Sequence, residues 1–185
     1  IGLLKDPLPD VRLVGVRLTD RRVSTSTELS EEIRAQLCAM LADDDSRIRR
    51  ATALLEANLG DPNAADLLLG RLKVEEIPEV KQGLLTAVVQ LKDPKVVGPV
   101  LKEVDSKDAP VAAAAASALA RVALAAPLEG AIHDLAVKVL LARYADSSSS
   151  SVNGYAPALR EALLTAMGTI PDENFIPALQ SALAD

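Results

Sequence analysis

Five segments of the chain repeat one pattern, and this repetition restricts the possible folds more than any other feature of the sequence. Each segment has a turn rich in Asp or Pro, then an aliphatic residue that is usually followed by a basic one. The aliphatic residues are Val11, Ile48, Val80, Val111 and Leu159. They are 37, 32, 31 and 48 residues apart. A repeat of this length is typical of arrays of helical or mixed supersecondary units.

Small or apolar residues recur three, seven and eleven positions after each aliphatic residue. The third positions hold Val14, Ala51, Gly83, Ala114 and Ala162, and the seventh hold Leu18, Leu55, Ala87, Ala118 and Ala166. This spacing forms one stripe along an α-helix. We therefore expect helices that begin near residues 9, 46, 78, 109 and 157 and turn this stripe towards the core. Gly83 in mid-helix indicates a close approach by a neighbouring helix.

A second set of helices is predicted between the first set, over 28–42, 62–73, 94–104, 128–144 and 172–184. Asp61 is expected to cap the start of one of them, with Pro62 at its first position. Pro99 and Pro177 predict kinks or late starts in two others. The predicted fold class is therefore all-α, a superhelix or solenoid of about five helix pairs without a sheet.

The domain organisation follows from the same repeats. They extend over 1–185 as a single array, and we expect this array to be part of a longer protein. The last spacing is long because of residues 146–156, which contain a run of five serines followed by Val-Asn-Gly. Low-complexity composition with a turn signal predicts a flexible insertion between two helices.

The repeated residues resemble those of the HEAT-repeat family, especially the short bacterial repeats similar to those of phycobilisome lyases. The resemblance rests on Asp-x-x-x-Asp-Val-Arg at 6–12, Asp-Ser-Arg-Ile-Arg-Arg-Ala at 45–51 and Leu-Gly-Asp-Pro at 59–62. It implies that the helices starting near 9, 46, 78, 109 and 157 line a concave face. Ala112 departs from the family pattern, which has a basic residue there. Repeats of this kind identify a fold and serve many unrelated functions.

Composition bears on several classes of partner. The chain has 26 acidic and 20 basic residues, and its three aromatic residues are Tyr144, Tyr155 and Phe175. A nucleic-acid binder concentrates positive charge, and a HEAT-like DNA glycosylase also needs aromatic side chains to hold a displaced base. We therefore expect no nucleic-acid partner. The apolar stretch 109–128 contains Arg121 and is mostly alanine, so we expect a buried helix and no membrane insertion.

Histidine, cysteine and clustered aspartates are frequent catalytic or metal-binding residues, but in this sequence they lack the additional residues that a catalytic or metal site requires. His133 and Cys38 are the single histidine and the single cysteine, so we expect a boundary histidine and a small, partly buried thiol. Asp43, Asp44 and Asp45 lack the ligand spacing of a calcium loop and are expected to start a helix. We predict no catalytic, cofactor or metal site.

Partner-binding residues are expected two and six positions after the repeated aliphatic residue, if the helices line a concave face. These positions hold Leu13 and Arg17 in the first repeat, and Arg50 and Leu54 in the second. The densest basic group is Arg47, Arg49 and Arg50. We expect it to be mainly a solvated face paired with the nearby aspartates, and the alternative is an anchor for an acidic partner. Guanidinium groups bind carboxylates through two hydrogen bonds. The candidate site is therefore Leu13, Arg17, Arg47, Arg50 and Leu54, facing an acidic partner.

The functional hypothesis is a non-enzymatic protein-interaction or scaffold module. Its expected partner is another protein or another domain of the parent chain, and no cofactor is expected. The alternative, implied by the family resemblance alone, is a component of a bilin lyase or a related chromophore-attachment factor. The sequence shows no targeting segment, which favours a cytoplasmic location.

Overall fold

The computed structural model describes residues 2–23, 29–149 and 156–184, and these residues form α-helices, short 3-10 turns and connecting turns without a strand. The predicted all-α class is confirmed. In chain order, the helices are α1 Pro9–Val23, α2 Glu31–Met40, α3 Ser46–Asn58, α4 Ala64–Val74, α5 Pro78–Gln90, α6 Val97–Val104, α7 Ala109–Ala125, α8 Gly130–Ser149, α9 Ala156–Thr169 and α10 Ile176–Ala184. None of these helices is long and apolar enough to cross a membrane.

Helix starts follow local signals in the sequence. The carboxylates of Asp45 and Asp108 accept hydrogen bonds from backbone N–H groups in the first turns of α3 and α7, and Pro78 is the first residue of α5. Side-chain acceptors and proline at these positions satisfy or avoid the unpaired N–H groups of a helix start. The helices expected near residues 9, 46, 78, 109 and 157 begin at 9, 46, 78, 109 and 156.

The prolines of the second set delay the helix starts. Pro94–Val96 is a 3-10 turn and α6 begins after it, so Pro99 lies in the first turn of α6. Pro177 is likewise the second residue of α10. The expected cap at Asp61 is wrong by two residues. Its carboxylate accepts a hydrogen bond from the N–H of Asn63 at 2.7 Å, and α4 begins only at Ala64.

The chain contains two compact units, Ile1–Asp93 and Pro94–Asp185. In the first unit, α3 packs between α1 and α5, while α2 packs on α3 and α4 packs on both α3 and α5. Leu13, Val16, Leu37, Ile48 and Leu55 belong to its core. In the second unit, α7 packs against α6 and α9, and α8 packs against the same two helices. Leu119, Leu140, Leu163 and Phe175 are fully buried there.

The buried stripe differs from the prediction by one residue. The positions that are buried in all five helices lie four and eight residues after the repeated aliphatic residue. These are Gly15, Thr52, Leu84, Ala115 and Leu163, followed by Thr19, Glu56, Val88, Leu119 and Met167. The predicted stripe fails most clearly in α1, where Val14 and Leu18 are 48% and 45% exposed. Leu13 is turned into the core in their place.

Two arginines make the same contacts in successive repeats. The guanidinium group of Arg12 donates two hydrogen bonds to the carboxylate of Asp43, at 2.8 and 2.9 Å. That of Arg49 donates two to the carboxylate of Glu75, also at 2.8 and 2.9 Å. In both cases Nη1 donates to the backbone carbonyls five and six residues earlier. Each arginine therefore connects the turn before its own helix to the turn before the next helix of the same set, α1 to α3 and α3 to α5.

The serine-rich segment lies only partly within the described residues. Helix α8 continues to Ser149, so residues 146–149 are helical, and residues 150–155 lie outside the described part of the chain. Near the end of α8, Arg160 of α9 stacks on the ring of Tyr144 at 5.2 Å and donates a hydrogen bond to its hydroxyl at 3.0 Å. This contact joins α8 and α9 directly before and after the segment.

Candidate protein-binding groove

A groove of about 860 Å³ crosses the first unit along α1, α3 and the start of α5. Its walls combine aliphatic side chains with charged ones from all three helices. The lining residues are Asp10, Leu13, Val14, Val16, Arg17, Asp20, Ser46, Arg47, Arg50, Ala51, Leu54, Glu79 and Val80. The groove exists because α1, α3 and α5 lie side by side, so that equivalent faces of successive repeats adjoin.

All five residues singled out from the sequence line this groove. Arg17, Arg47 and Arg50 are exposed, and Leu54 is half-buried. Leu13 is a correction, because only 8% of its surface is exposed and it contributes to the floor. The rotation of α1 that buries Leu13 brings Val14 to the surface in its place, so Val14 is the groove residue that the helical pattern missed.

Arg47 is already paired within the chain. Its Nη2 lies 3.0 Å from the carboxylate of Asp10 in α1 and 2.6 Å from that of Asp45, the N-cap of its own helix. The hydrogen bonds from Arg47 lower the pKa of Asp45 to about 2, against a smaller opposing effect of burial. A partner's carboxylate would have to compete with two others for this guanidinium group. Arg47 therefore lines the groove as a paired group rather than offering a free charge.

Arg17 and Arg50 are the two groove arginines without a hydrogen bond or ion pair to any described residue. Asp20, three residues after Arg17, accepts a hydrogen bond from Asn58 at 3.2 Å instead. Guanidinium groups have five donors in a fixed planar arrangement, which suits a carboxylate. The groove thus presents two unused sets of donors next to the exposed aliphatic surface of Val14 and the half-buried Leu54.

Gly83 determines the path of the Arg50 side chain. A Cβ atom on Gly83 would lie 2.6 Å from Cγ of Arg50, far inside a van der Waals contact. The aliphatic part of Arg50 therefore lies directly on the backbone of α5. The close approach expected at Gly83 exists, but the neighbour is a side chain from α3 that reaches across α5.

A carboxylate behind the groove holds two stacked helices together. Glu75 is 4% exposed and receives hydrogen bonds from Arg49 and, at 2.6 and 3.0 Å, from Arg71. Burial alone would raise the pKa of Glu75, but the hydrogen bonds from Arg49, the N–H of Ile77 and Arg71 lower it to about 2. Nε, Nη1 and Nη2 of Arg49 all donate hydrogen bonds within the chain. The arginines that line the groove are Arg17, Arg47 and Arg50.

The other residues considered from the sequence have ordinary surroundings. Cys38 is partly buried, and burial raises its thiol pKa, with Glu56 and Asp61 adding to the effect. His133 lies 3.6 Å from the carboxylate of Asp172, which caps the 3-10 turn Glu173–Phe175. Across the described ranges, no three His, Cys, Asp or Glu residues form a group suited to a metal ion.

No protein-family model matches the chain, and no curated protein matches it.

Proposed function

We propose that the chain is a non-enzymatic protein-interaction module, a solenoid of HEAT-like helix pairs whose groove binds an acidic segment of another protein or of another domain of its parent chain. Two features support this proposal. The contacts of Arg12 and Arg49 repeat from one helix pair to the next. The equivalent faces of α1, α3 and α5 adjoin in one groove.

The observation that carries the proposal is the pair of unpaired arginines, Arg17 and Arg50, beside aliphatic surface. A partner that supplies carboxylates to both and an aliphatic side chain between them would satisfy donors that the chain leaves unused. Charge complementarity of this kind increases association rates and discriminates among partners. Bidentate geometry adds orientation, which favours a segment with its acidic residues on one face.

A peptide-display selection tests the proposal without requiring a known partner. The wild-type chain is the target, and the double variant Arg17→Glu, Arg50→Glu is the counter-target. We expect the selected peptides to be rich in Asp and Glu with interspersed Leu, and to lose at least tenfold in affinity for the double variant. That factor corresponds to about 1.4 kcal/mol. Binding should also weaken with added salt.

A matched double reversal in the second unit provides the control. Lys102 and Lys138 are exposed and lie on α6 and α8. The variant Lys102→Glu, Lys138→Glu changes the net charge equally, so it should bind the selected peptides about as well as wild type. Equal loss in both variants would indicate a general charge effect. The proposal would be overturned if the selection yields no peptide. It would also be overturned if the double variant Arg17→Glu, Arg50→Glu binds the selected peptides as tightly as wild type does.

A further inference from the structure

Two buried polar side chains follow each other by one turn on α3, on the face opposite the groove. Thr52 is fully buried and Glu56 is 2% exposed. Neither Oγ1 of Thr52 nor Oε1 of Glu56 has a hydrogen-bond partner among the described residues. Buried polar atoms in folded proteins are nearly always paired. A carboxyl group with an unpaired oxygen inside a helical core therefore needs an explanation.

The charged groups around Glu56 do not neutralise a carboxylate there. The helices packed on α3 are α1, α2, α4 and α5. From α2, Arg34 and the thiol of Cys38 face this region, and Asp61 faces it from the turn before α4. Nη1 of Arg34 lies 3.9 Å from the carboxylate of Asp61, so Arg34 forms its ion pair with Asp61 and not with Glu56. Within the described part of the chain, α1 and α5 bring no charge that acts on Glu56.

We propose that Glu56 is a proton-binding site that is neutral when α2 and α3 are packed together, and that release of its proton to solvent loosens this packing. An ionised carboxylate only accepts hydrogen bonds, whereas a protonated carboxyl group also donates one. The hydroxyl group of Thr52, one turn earlier on the same face, can donate or accept, but it makes no hydrogen bond that would stabilise an ionised Glu56. A buried charge without a partner costs far more than a buried neutral group, so the unpaired site favours the protonated carboxyl group.

The energetics of burial agree with this assignment. Burial and the charge of Asp61 raise the pKa of Glu56 from 4.5 to about 7, and Arg34 offsets only part of the effect. A carboxyl group whose pKa is higher in the folded than in the unfolded chain stabilises the fold at low pH. That stability is complete below about pH 4.5 and is lost as the pH rises through about 7. The site would thus respond within the range of ordinary cellular pH.

Three measurements on the full chain test the site. The first is a 13C NMR titration of the side-chain carboxyl carbons of glutamate, which reads the pKa of Glu56 directly in the folded wild type. We expect a midpoint between pH 6 and 8, as follows from desolvation of a buried carboxyl group. A midpoint at or below about 4.5 would overturn the proposal, because it would mean that the buried carboxylate has found a partner.

The second measurement is urea unfolding from pH 5 to pH 8. For wild type, the unfolding equilibrium constant should rise roughly 70-fold across this range, as one proton with these two pKa values requires. Glu56→Gln keeps the shape and the donor of the protonated group, so most of the rise should disappear. Glu161→Gln, at an exposed position on α9, should retain it. An equal rise in Glu56→Gln and wild type would contradict the assignment.

Amide hydrogen exchange locates the effect and does not depend on any variant folding. If proton release loosens the packing of α2 on α3, exchange in these two helices should increase between pH 6 and 8 by more than the intrinsic chemical rate. Exchange in α7 and α9, corrected in the same way, should not. A uniform increase across both units would show that the proton acts elsewhere.

Discussion

At the scale of single residues, Arg50 and Gly83 form a pair that neither sequence position reveals alone. Glycine inside a helix costs about 1 kcal/mol relative to alanine. Here the missing side chain is the space that Arg50 occupies, 2.6 Å from where a Cβ would be. Gly83 is therefore a positioning residue for a groove arginine, and its substitution should move Arg50 without adding or removing charge.

Replacing Gly83 with alanine tests this role. Gly70, exposed in α4 with no atom near its would-be Cβ, is the matched control. Gly70→Ala should stabilise the chain by about 1 kcal/mol in urea unfolding. Gly83→Ala should gain less, because Arg50 must leave its place. Gly83→Ala should also weaken binding of the selected acidic peptides about as much as Arg50→Ala does. Unchanged peptide affinity in Gly83→Ala would show that the path of Arg50 does not matter.

A second prediction at this scale compares a buried ion pair with an exposed one. Glu75→Gln leaves the guanidinium group of Arg49 buried without its carboxylate, and breaking such a pair costs about 3–5 kcal/mol. Asp10→Asn breaks the contact of an exposed carboxylate with Arg47, which should change stability by less than about 1 kcal/mol. Urea unfolding at pH 7 measures both. Similar losses in the two variants would show that burial does not set the value of the Glu75 contact.

At the scale of helices, local signals determined the starts and packing determined the rotations. Asp45, Asp108 and Pro78 act within one turn of the chain, so the sequence alone predicted where α3, α5 and α7 begin. The buried face was predicted one position away from the observed one. Val14 and Leu18 are as apolar as the residues that replaced them in the core, and only contacts with the rest of the unit decide between adjacent positions.

The same limit applies to the groove. Its arginines could be identified because equivalent positions of adjacent repeats lie side by side once the repeats stack. The contact of Arg47 with Asp10 could not be predicted, since Asp10 is 37 residues away, whereas its contact with Asp45 is local. The buried Glu56 was also missed, because a polar residue on a helix is normally assigned to the surface. Its position eight residues after Ile48, equivalent to Val88 and Leu119, is the signal that could have revealed it.

Helix α7 packs through alanines, and this gives a prediction at the helix scale. Ala115 and Ala116 are fully buried, while the adjacent Ser117 is exposed. The helix packs against α6 and α9. Ala116→Leu adds three carbon atoms to a filled contact and should destabilise the chain by about 1–3 kcal/mol. Ser117→Leu adds similar bulk towards solvent and should be nearly neutral. Thermal unfolding of the two variants measures the difference, and equal melting temperatures would contradict close packing at Ala116.

For the whole molecule, the buried and paired carboxylates predict a stability that is highest in weakly acidic solution. Hydrogen bonds lower the pKa of Asp45 and Glu75 to about 2, from 3.8 and 4.5. Groups with a lowered folded pKa stabilise the fold above their unfolded pKa, and this stability is lost as the pH falls towards 2. Glu56 acts in the opposite direction, because its pKa rises to about 7.

The two effects together predict a maximum of stability near pH 5, at about the point where Asp45 and Glu75 are ionised and Glu56 is still protonated. Urea unfolding from pH 2.5 to pH 8.5 measures the profile. Glu56→Gln should flatten only the decline above pH 5, and Glu75→Gln should reduce only the decline below pH 4 while lowering stability throughout. Because Glu75 is not among the groups that shift the pKa of Glu56, and Glu56 is not among those that shift the pKa of Glu75, the double variant should show the sum of both changes. A wild-type maximum above pH 7 would mean that Glu56 is ionised in the folded chain. The two single variants would then show whether the prediction is wrong for Glu56 alone or also for the loss of stability below pH 4.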